Sequence, residues 1–221
     1  MRYQNYELHP NYHVVERRVG VQESKDFYDI SKKRRTIREF SSESVDKEII
    51  FNAIRAAGTA PSGANLQPWY FAVVESKKIK QKIRQAAEAE EREFYQARAP
   101  KTWLVDLEPL ETDHVKAYLD EAPFLIAVFA KRKQEVNGVM KKTYYPVEST
   151  SLATGILISS LHRSGLATLT HTPKPIGFLN EVLGLESHFK PQMLLVTGYP
   201  KLPVRVPKLK RKNLEEISGV Y

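Results

Sequence analysis

Residues 124–130 read Phe-Leu-Ile-Ala-Val-Phe-Ala, the longest purely apolar run in the chain. A membrane-spanning helix needs roughly 20 such residues. The run's length and its aromatic and β-branched content instead predict a strand buried in a sheet. Working outward, Trp69–Val74, Leu166–Thr172 and Met193–Thr197 are further β-prone runs. Helices are expected between them. Asp46–Ala57 carries Ile49, Ile50, Ala53, Ile54 and Ala57 on one face, and Gly58 stops it. Lys77 to about Ala97 predicts a long, highly charged helix with a thin apolar stripe. Thr112–Glu121, Phe178–Leu183 and Pro146–Ser164 are also expected to be helical. The last of these has a face of Leu152, Ile156, Ser159 and Ser160 and ends at Gly165. Strands and helices are interspersed without a strict βαβ repeat, and neither GxGxxG nor GxxxxGK[ST] occurs, which argues against a Rossmann or P-loop domain. The fold class expected is α+β.

Composition bounds the rest. A chain of 221 residues with 42% hydrophobic content can bury a full core. It has no Cys, which excludes a disulfide scaffold, thiolate metal sites and a cysteine nucleophile. None of the six His is spaced with carboxylates as a metal site requires, so no metal is expected. The amino-terminal MRYQNYELHP lacks a basic region leading into an apolar one, so a cytoplasmic, membrane-free protein is the expectation. The charge, 34 − 26 = +8, comes in short basic clusters separated by acidic stretches such as Glu88–Glu93, and no nucleic-acid-binding motif accompanies it. That distribution suits one small phosphate better than a nucleic acid. Residues 1–25 read as an arm, with regular structure beginning near Phe27 and a single domain over 26–221. Residues 199–221, with three Pro and a basic cluster, read as an extension that packs on a partner subunit.

Several constellations could carry chemistry. Arg34-Arg35-Thr36-Ile37-Arg38 offers planar donors and a hydroxyl suited to an anion, or else is a solvated charge run. Lys210-Arg211-Lys212 has the same two readings. Ala60-Pro61-Ser62-Gly63-Ala64, before Gln67-Pro68-Trp69, exposes backbone amides for a flat ligand or simply joins a helix to a strand. Glu91 and Tyr95, four apart on one helical face, and Lys116 beyond Trp103–Leu107 can grip the two charges of a free amino acid. They equally describe a surface pair and an unrelated lysine. Thr170 and Thr172 are a strand end by β-propensity alone.

Taken together, RRTIR (34–38), APSGANLQPW (60–69), LTHTP (169–173) and GYP (198–200) before a basic tail resemble the nitroreductase superfamily of FMN-dependent enzymes. More narrowly, the chain is similar to the iodotyrosine deiodinase family from about Ser31 to Ile217. The resemblance implies a nitroreductase-like fold with a central mixed β-sheet flanked by helices. It implies an intertwined homodimer with the carboxy-terminal extension on the partner, and a lid over about 88–120. The activity implied is reductive dehalogenation of halotyrosines, 3-iodotyrosine to tyrosine plus iodide, through one-electron flavin steps fed by an external reductant. By the same resemblance Arg34, Arg35, Thr36 and Arg211 hold the FMN phosphate and ribityl end, and Arg38 the pyrimidine edge. Pro61, Ser62 and Gly63 come from the other subunit. The Ala64 N–H donates to the substrate phenolate, Thr170 and His171 neighbour the flavin, and the Thr172 hydroxyl donates to flavin N5. Glu91 takes the substrate ammonium, Lys116 its carboxylate, and Tyr95 either. His171 and Thr36 stand where vertebrate members have Thr and Ser. The animal members' membrane anchor is not expected here, as in the soluble bacterial-type members. A general NAD(P)H-dependent nitro or quinone reductase, and a non-enzymatic basic binding module, are the competing readings.

Overall fold

In a computed structural model, residues 6–9 and 12–221 are described, and the chain divides into two units, 1–34 and 35–221. Residues 1–5, 10 and 11 of the expected arm lie outside the described residues. Helical structure in the first unit begins at Arg17, earlier than the expected Phe27, as helix α1 (Arg17–Ser31). Its polar side chains pair along the helix surface. Lys25 and Lys32 both pair with Asp29, and Gln22 donates to Asp26, while no residue of the helix is buried.

The second unit contains helices α2 (Lys47–Ala57), α3 (Lys77–Glu93), α4 (Lys101–Leu107), α5 (Tyr118–Glu121), α6 (Pro146–Arg163) and α7 (Phe178–Leu183). Its strands are β1 (Trp69–Val74), β2 (Phe124–Lys131), β3 (Lys133–Val136), β4 (Val139–Lys142), β5 (Ala167–His171) and β6 (Phe189–Gly198). Asp46 caps α2 by accepting from the Glu48 N–H, as its position before the apolar stripe implies. The main sheet runs β1-β2-β6-β5. Strand β2 is buried along its length because both of its faces are covered. Phe124 and Ile126, with Leu195 of β6, pack on Ile50 and Ala53 of α2 and Ala153, Leu157 and Leu161 of α6. The alternate residues Leu125, Ala127 and Phe129, with Leu194 and Val196, pack on Ile83 and Ala87 of α3, Leu119 of α5 and Leu179 of α7. The two-residue period of a strand thus builds a three-layer helix–sheet–helix unit. Among the described residues no helix is long and apolar enough to cross a membrane.

Four details differ from the sequence reading. Every strand pair of the main sheet is antiparallel. The expected mixed character is confined to a single parallel bridge, Thr36 to Thr168, where the Ile37 N–H donates to the Thr168 carbonyl at 3.2 Å. Thr112–Ala117 is not helical. There the Val115 N–H is taken by the Asp113 carboxylate and the Lys116 N–H by Glu88, so side chains supply the acceptors that a helix would otherwise provide. The inward face of α6 is Ala153, Leu157 and Leu161, while Leu152 is 55% exposed. Finally β3 and β4 form a hairpin absent from the sequence reading, turning at Asn137-Gly138 with positive φ at both residues.

Leu157 is fully buried between α6 and the sheet. Leu157→Ala is expected to cost about 3 kcal/mol of stability in equilibrium urea unfolding. A loss below about 1 kcal/mol would contradict the packing described.

Candidate functional site

A cavity of about 330 Å³ opens beside the end of β5, between that strand and the segment running from the last turn of α3 to α5. Helix α3 delivers Glu91 and passes into a π-helical turn, Phe94–Arg98, that carries Tyr95. Phe94 packs edge-on against Trp103 of α4, 5.2 Å between ring centroids, and so folds the segment back on itself. Lys116 lies opposite. Its Nζ is 3.4 Å from Glu91 Oε2 and 5.6 Å from the Tyr95 ring centroid, and it also donates to Thr112 Oγ1 and the Asp113 carbonyl. With the Lys116 side chain 3% exposed, this is a buried charge that needs its partners. The backbone fixes it as well. The Lys116 N–H donates to Glu88 Oε1 at 2.8 Å, Arg84 Nε holds the same oxygen at 2.7 Å, and Arg84 Nη1 reaches Asp120 at 2.8 Å.

Strand β5 supplies the opposite wall. Thr170 and Thr172 are exposed and His171 between them is buried, as the alternation of a strand requires. The Tyr118 hydroxyl lies 3.2 Å from His171 Nδ1. Burial pushes the Lys116 ammonium below its usual range and the Tyr95 and Tyr118 phenols above theirs. Burial, reinforced by the Lys116 charge, pulls His171 down to about 3. The site at neutral pH therefore presents two phenols and a neutral imidazole to whatever fills it. Arg38 completes the cavity wall.

The nitroreductase family model matches residues 31–199. The chain belongs to the nitroreductase family. It is 44% identical over 202 residues to an iodotyrosine deiodinase of Haliscomenobacter hydrossis, covering 91% of each chain. To iodotyrosine deiodinase 1 of Rattus norvegicus it is 46% identical over 211 residues, which is 95% of this chain and 73% of that one. A crystal structure of oxidized iodotyrosine deiodinase bound to FMN and 3-iodo-L-tyrosine superposes with a TM-score of 0.76 at 32% identity, over 85% of this chain and 96% of the other. The three-layer architecture is thus that of a nitroreductase.

Of the site residues expected from sequence, the fold gathers Arg38, Glu91, Tyr95, Lys116, Thr170, His171 and Thr172 around one cavity of this nitroreductase. The others stand elsewhere. Thr36 lines a neighbouring cleft of about 650 Å³ with Arg38, Arg205 and Lys208, and Arg35 donates to the Pro207 carbonyl. Arg34 closes the first unit, and Arg211 lies on the exposed tail. Pro61, Ser62, Gly63 and Ala64 do not line the cavity. They form a tight turn in which Ser62 Oγ accepts from the Gln67 N–H and Ala64 takes a left-handed φ of 50°. A Cβ on Gly63 would lie 2.9 Å from the Tyr144 Cβ, so only glycine fits there. Sequence reasoning missed Tyr118, Trp103 and the Arg84–Glu88–Asp120 chain. Glu88 and Arg84, four apart in the predicted helix, carried a legible signal, whereas Tyr118 carried none.

His171 sets a pH dependence for this unit. Its folded pKa of about 3 lies below the ordinary 6.5, so its contribution to stability is complete above about pH 6.5 and is lost as pH falls towards 3. The His171→Gln variant is expected to show a shallower fall of unfolding free energy across that window than the parent. Identical slopes would contradict a buried neutral imidazole.

Proposed function

We propose that the chain is an FMN-dependent reductive dehalogenase of halotyrosines, converting 3-iodotyrosine to tyrosine and iodide as a homodimer in the cytoplasm. The observation that carries this reading is the withdrawn Glu91–Lys116 pair in the cavity, with Tyr95 beside it. A free amino acid brings one ammonium and one carboxylate. It can replace this pair without changing the net charge of the site. Glu91 then takes the ammonium, Lys116 the carboxylate, and the Tyr95 hydroxyl either group. The likeness to deiodinases along nine-tenths of the chain supports the same substrate class.

The residues present fit FMN. Arg38, Arg205, Lys208 and Thr36 line one cleft next to the aromatic-walled cavity, three cations and a hydroxyl residue suited to a phosphate, against two carboxylates, Glu39 and Glu111, on the same wall. Arg35 and Arg211, with Arg34 adjoining in sequence, are assigned to the same phosphate and ribityl end, and Arg38 to the pyrimidine edge. The Thr172 hydroxyl is assigned to N5, with Thr170 and His171 along the ring. The flavin, when bound and reduced by an external donor, supplies two electrons one at a time. In the net reaction the carbon–iodine bond breaks, iodide leaves with the bonding pair, and one proton ends on the ring carbon. The protein grips the zwitterion, excludes water with the segment from Glu88 to Asp120 acting as a lid, and holds a hydroxyl at the point of electron transfer.

Pro61, Ser62 and Gly63, which stand apart from the cavity of their own protomer, are assigned to the flavin of a second copy, and the Ala64 N–H to the substrate phenolate there. Support comes from the exposed apolar side chains of Phe51, Met140 and Leu152 and from the exposed Leu209 and Ile217 of the tail, side chains of the kind a second copy would cover.

The decisive experiment is anaerobic: FMN-loaded protein, dithionite and 3-iodotyrosine, with tyrosine quantified against a free-FMN control. Catalytic tyrosine formation is expected. A bound, reducible flavin that yields no tyrosine overturns the dehalogenase and leaves a general nitro or quinone reductase. Glu91→Gln is expected to weaken halotyrosine binding about 10- to 100-fold, the range for losing a charged hydrogen bond, with FMN affinity within about twofold of the parent's. Equal loss of both would assign Glu91 to the fold and not to the substrate.

A further inference from the structure

We infer that Glu88 is a positioning residue for the substrate grip: it holds the Lys116 backbone so that the ammonium stays at the cavity wall when a ligand carboxylate takes the place of Glu91, a ligand whose identity rests on the function proposed above. Glu88 and Glu91 lie three apart on one face of α3 and take Lys116 at two different points. Glu91 Oε2 is 3.4 Å from Nζ, and both residues line the cavity. Glu88 Oε1 instead accepts the Lys116 backbone N–H, at 2.8 Å. Arg84, Glu88 and Asp120 do not line the cavity, so their effect on a ligand passes through Lys116.

A ligand that carries an ammonium and a carboxylate breaks the Glu91–Lys116 contact in the act of binding. Thr112 Oγ1 and the Asp113 carbonyl still accept from Nζ, but they belong to the same non-helical segment as Lys116 and so do not tie it to α3. Among the described residues, the polar contact that joins Lys116 to α3 without facing that competition is the one to Glu88. The Lys116 carbonyl is held too, by the N–H of the fully buried Leu119 at 3.0 Å, so the backbone is fixed on both sides of its Cα. Arg84 orients the Glu88 carboxylate. Its Nε donates to the same Oε1 at 2.7 Å and its Nη1 to Asp120 Oδ2 at 2.8 Å, so one guanidinium joins α3 to α5. Burial opposes the Glu88 charge, and the Lys116 N–H and Arg84 outweigh it, keeping the carboxyl below its usual range. Glu88 is therefore an ionised acceptor at neutral pH. An ammonium whose backbone is already fixed has less freedom to lose when it meets a carboxylate, which strengthens that contact.

Hydrogen exchange and binding test the assignment separately. In the protein as purified, the Lys116 amide is expected to exchange slowly by NMR, and faster in Glu88→Ala. Glu88→Ala is expected to raise the Kd of 3-iodotyrosine for the FMN-loaded enzyme about tenfold, with the Kd of FMN within about twofold of the parent's. Glu88→Gln keeps an oxygen acceptor and is expected to hold the 3-iodotyrosine Kd within about threefold. Lys116→Met removes what Glu88 positions, so adding Glu88→Ala to it is expected to change that Kd by less than about twofold. A merely structural role would multiply the two losses or weaken FMN and halotyrosine alike, and either result overturns the inference. So does a Gln variant that loses as much as the Ala variant. A Lys116 amide that exchanges freely in the parent overturns it as well, whether or not Glu88→Ala folds. A parent that takes up FMN and binds no 3-iodotyrosine brings down the proposed function and this grip with it. A parent that binds both, and that Glu88→Ala matches, brings down this inference alone.

Discussion

The burial of β2 on both faces is the constraint from which the rest of the structure follows. Its alternate side chains belong to two different cores, so neither helical layer can shift without disturbing the strand that both share. Through antiparallel pairing β2 fixes β6, and β6 fixes β5, whose end is one wall of the cavity. The other wall is tied to the same strand by Lys80. This lysine is buried in α3, and its Nζ donates to the Ala122 and Asp120 carbonyls just before β2 begins. The ammonium thus caps the short helix α5 and anchors the base of the segment that carries Lys116 and Tyr118.

Electrostatics within the cavity follow from that anchoring. Lys116 is desolvated, which disfavours its charge, and Glu91, Thr112 and the Asp113 carbonyl offset only part of what burial removes. Such a pair is poorly explained by stability, since two apolar residues would serve the core as well or better. The pair places two opposite charges on the cavity lining, largely away from water. The Arg84–Glu88–Asp120 chain behind it does not line the cavity. It holds the Lys116 backbone in a non-helical path that brings the ammonium to Glu91.

What the sequence made legible is what depends on local pattern. The run 124–130 announced a strand, the period of α2 announced its buried face, and the four-residue spacing put Glu91 and Tyr95 on one side of their helix. What it hid depends on distant partners. The expected helix over 112–121 survives only at its end because the acceptor for the Lys116 N–H is Glu88, 28 residues away. Helix α1 escaped because it buries no residue and so presents no apolar face of the kind the reading relied on. The buried face of α6 was misread because Leu152 looks like core in one dimension, yet it is Ala153, Leu157 and Leu161 that are buried against the sheet. The hairpin went unread although Asn137-Gly138 is the dipeptide its turn favours. The site was half legible. RRTIR was readable as an anion clamp, but nothing local distinguishes the Tyr118 that partners His171 from any other core tyrosine.

The chemistry of the cavity is in the end a matter of register. Along β5 and the residue that follows it, burial alternates, with Thr170 and Thr172 exposed and Leu169 and His171 buried, so hydroxyls and imidazole never compete for the same position. A slip of one residue would exchange the two sets, burying hydroxyls against Tyr118 and exposing the imidazole. What prevents it is the pairing of Thr168 with Thr197, reinforced by the Thr197 hydroxyl donating to the Ala167 carbonyl at 3.0 Å, and the Ile37 N–H bound to Thr168 from the other edge. Strand β5 is therefore clamped on both edges within the residues just before its functional end. The same Thr36–Thr168 bridge that departs from the antiparallel sheet brings the arginine-rich segment 35–38 alongside that end. One backbone contact thereby sets the register of the hydroxyls and the position of the arginine-rich segment together, although the two lie far apart in sequence.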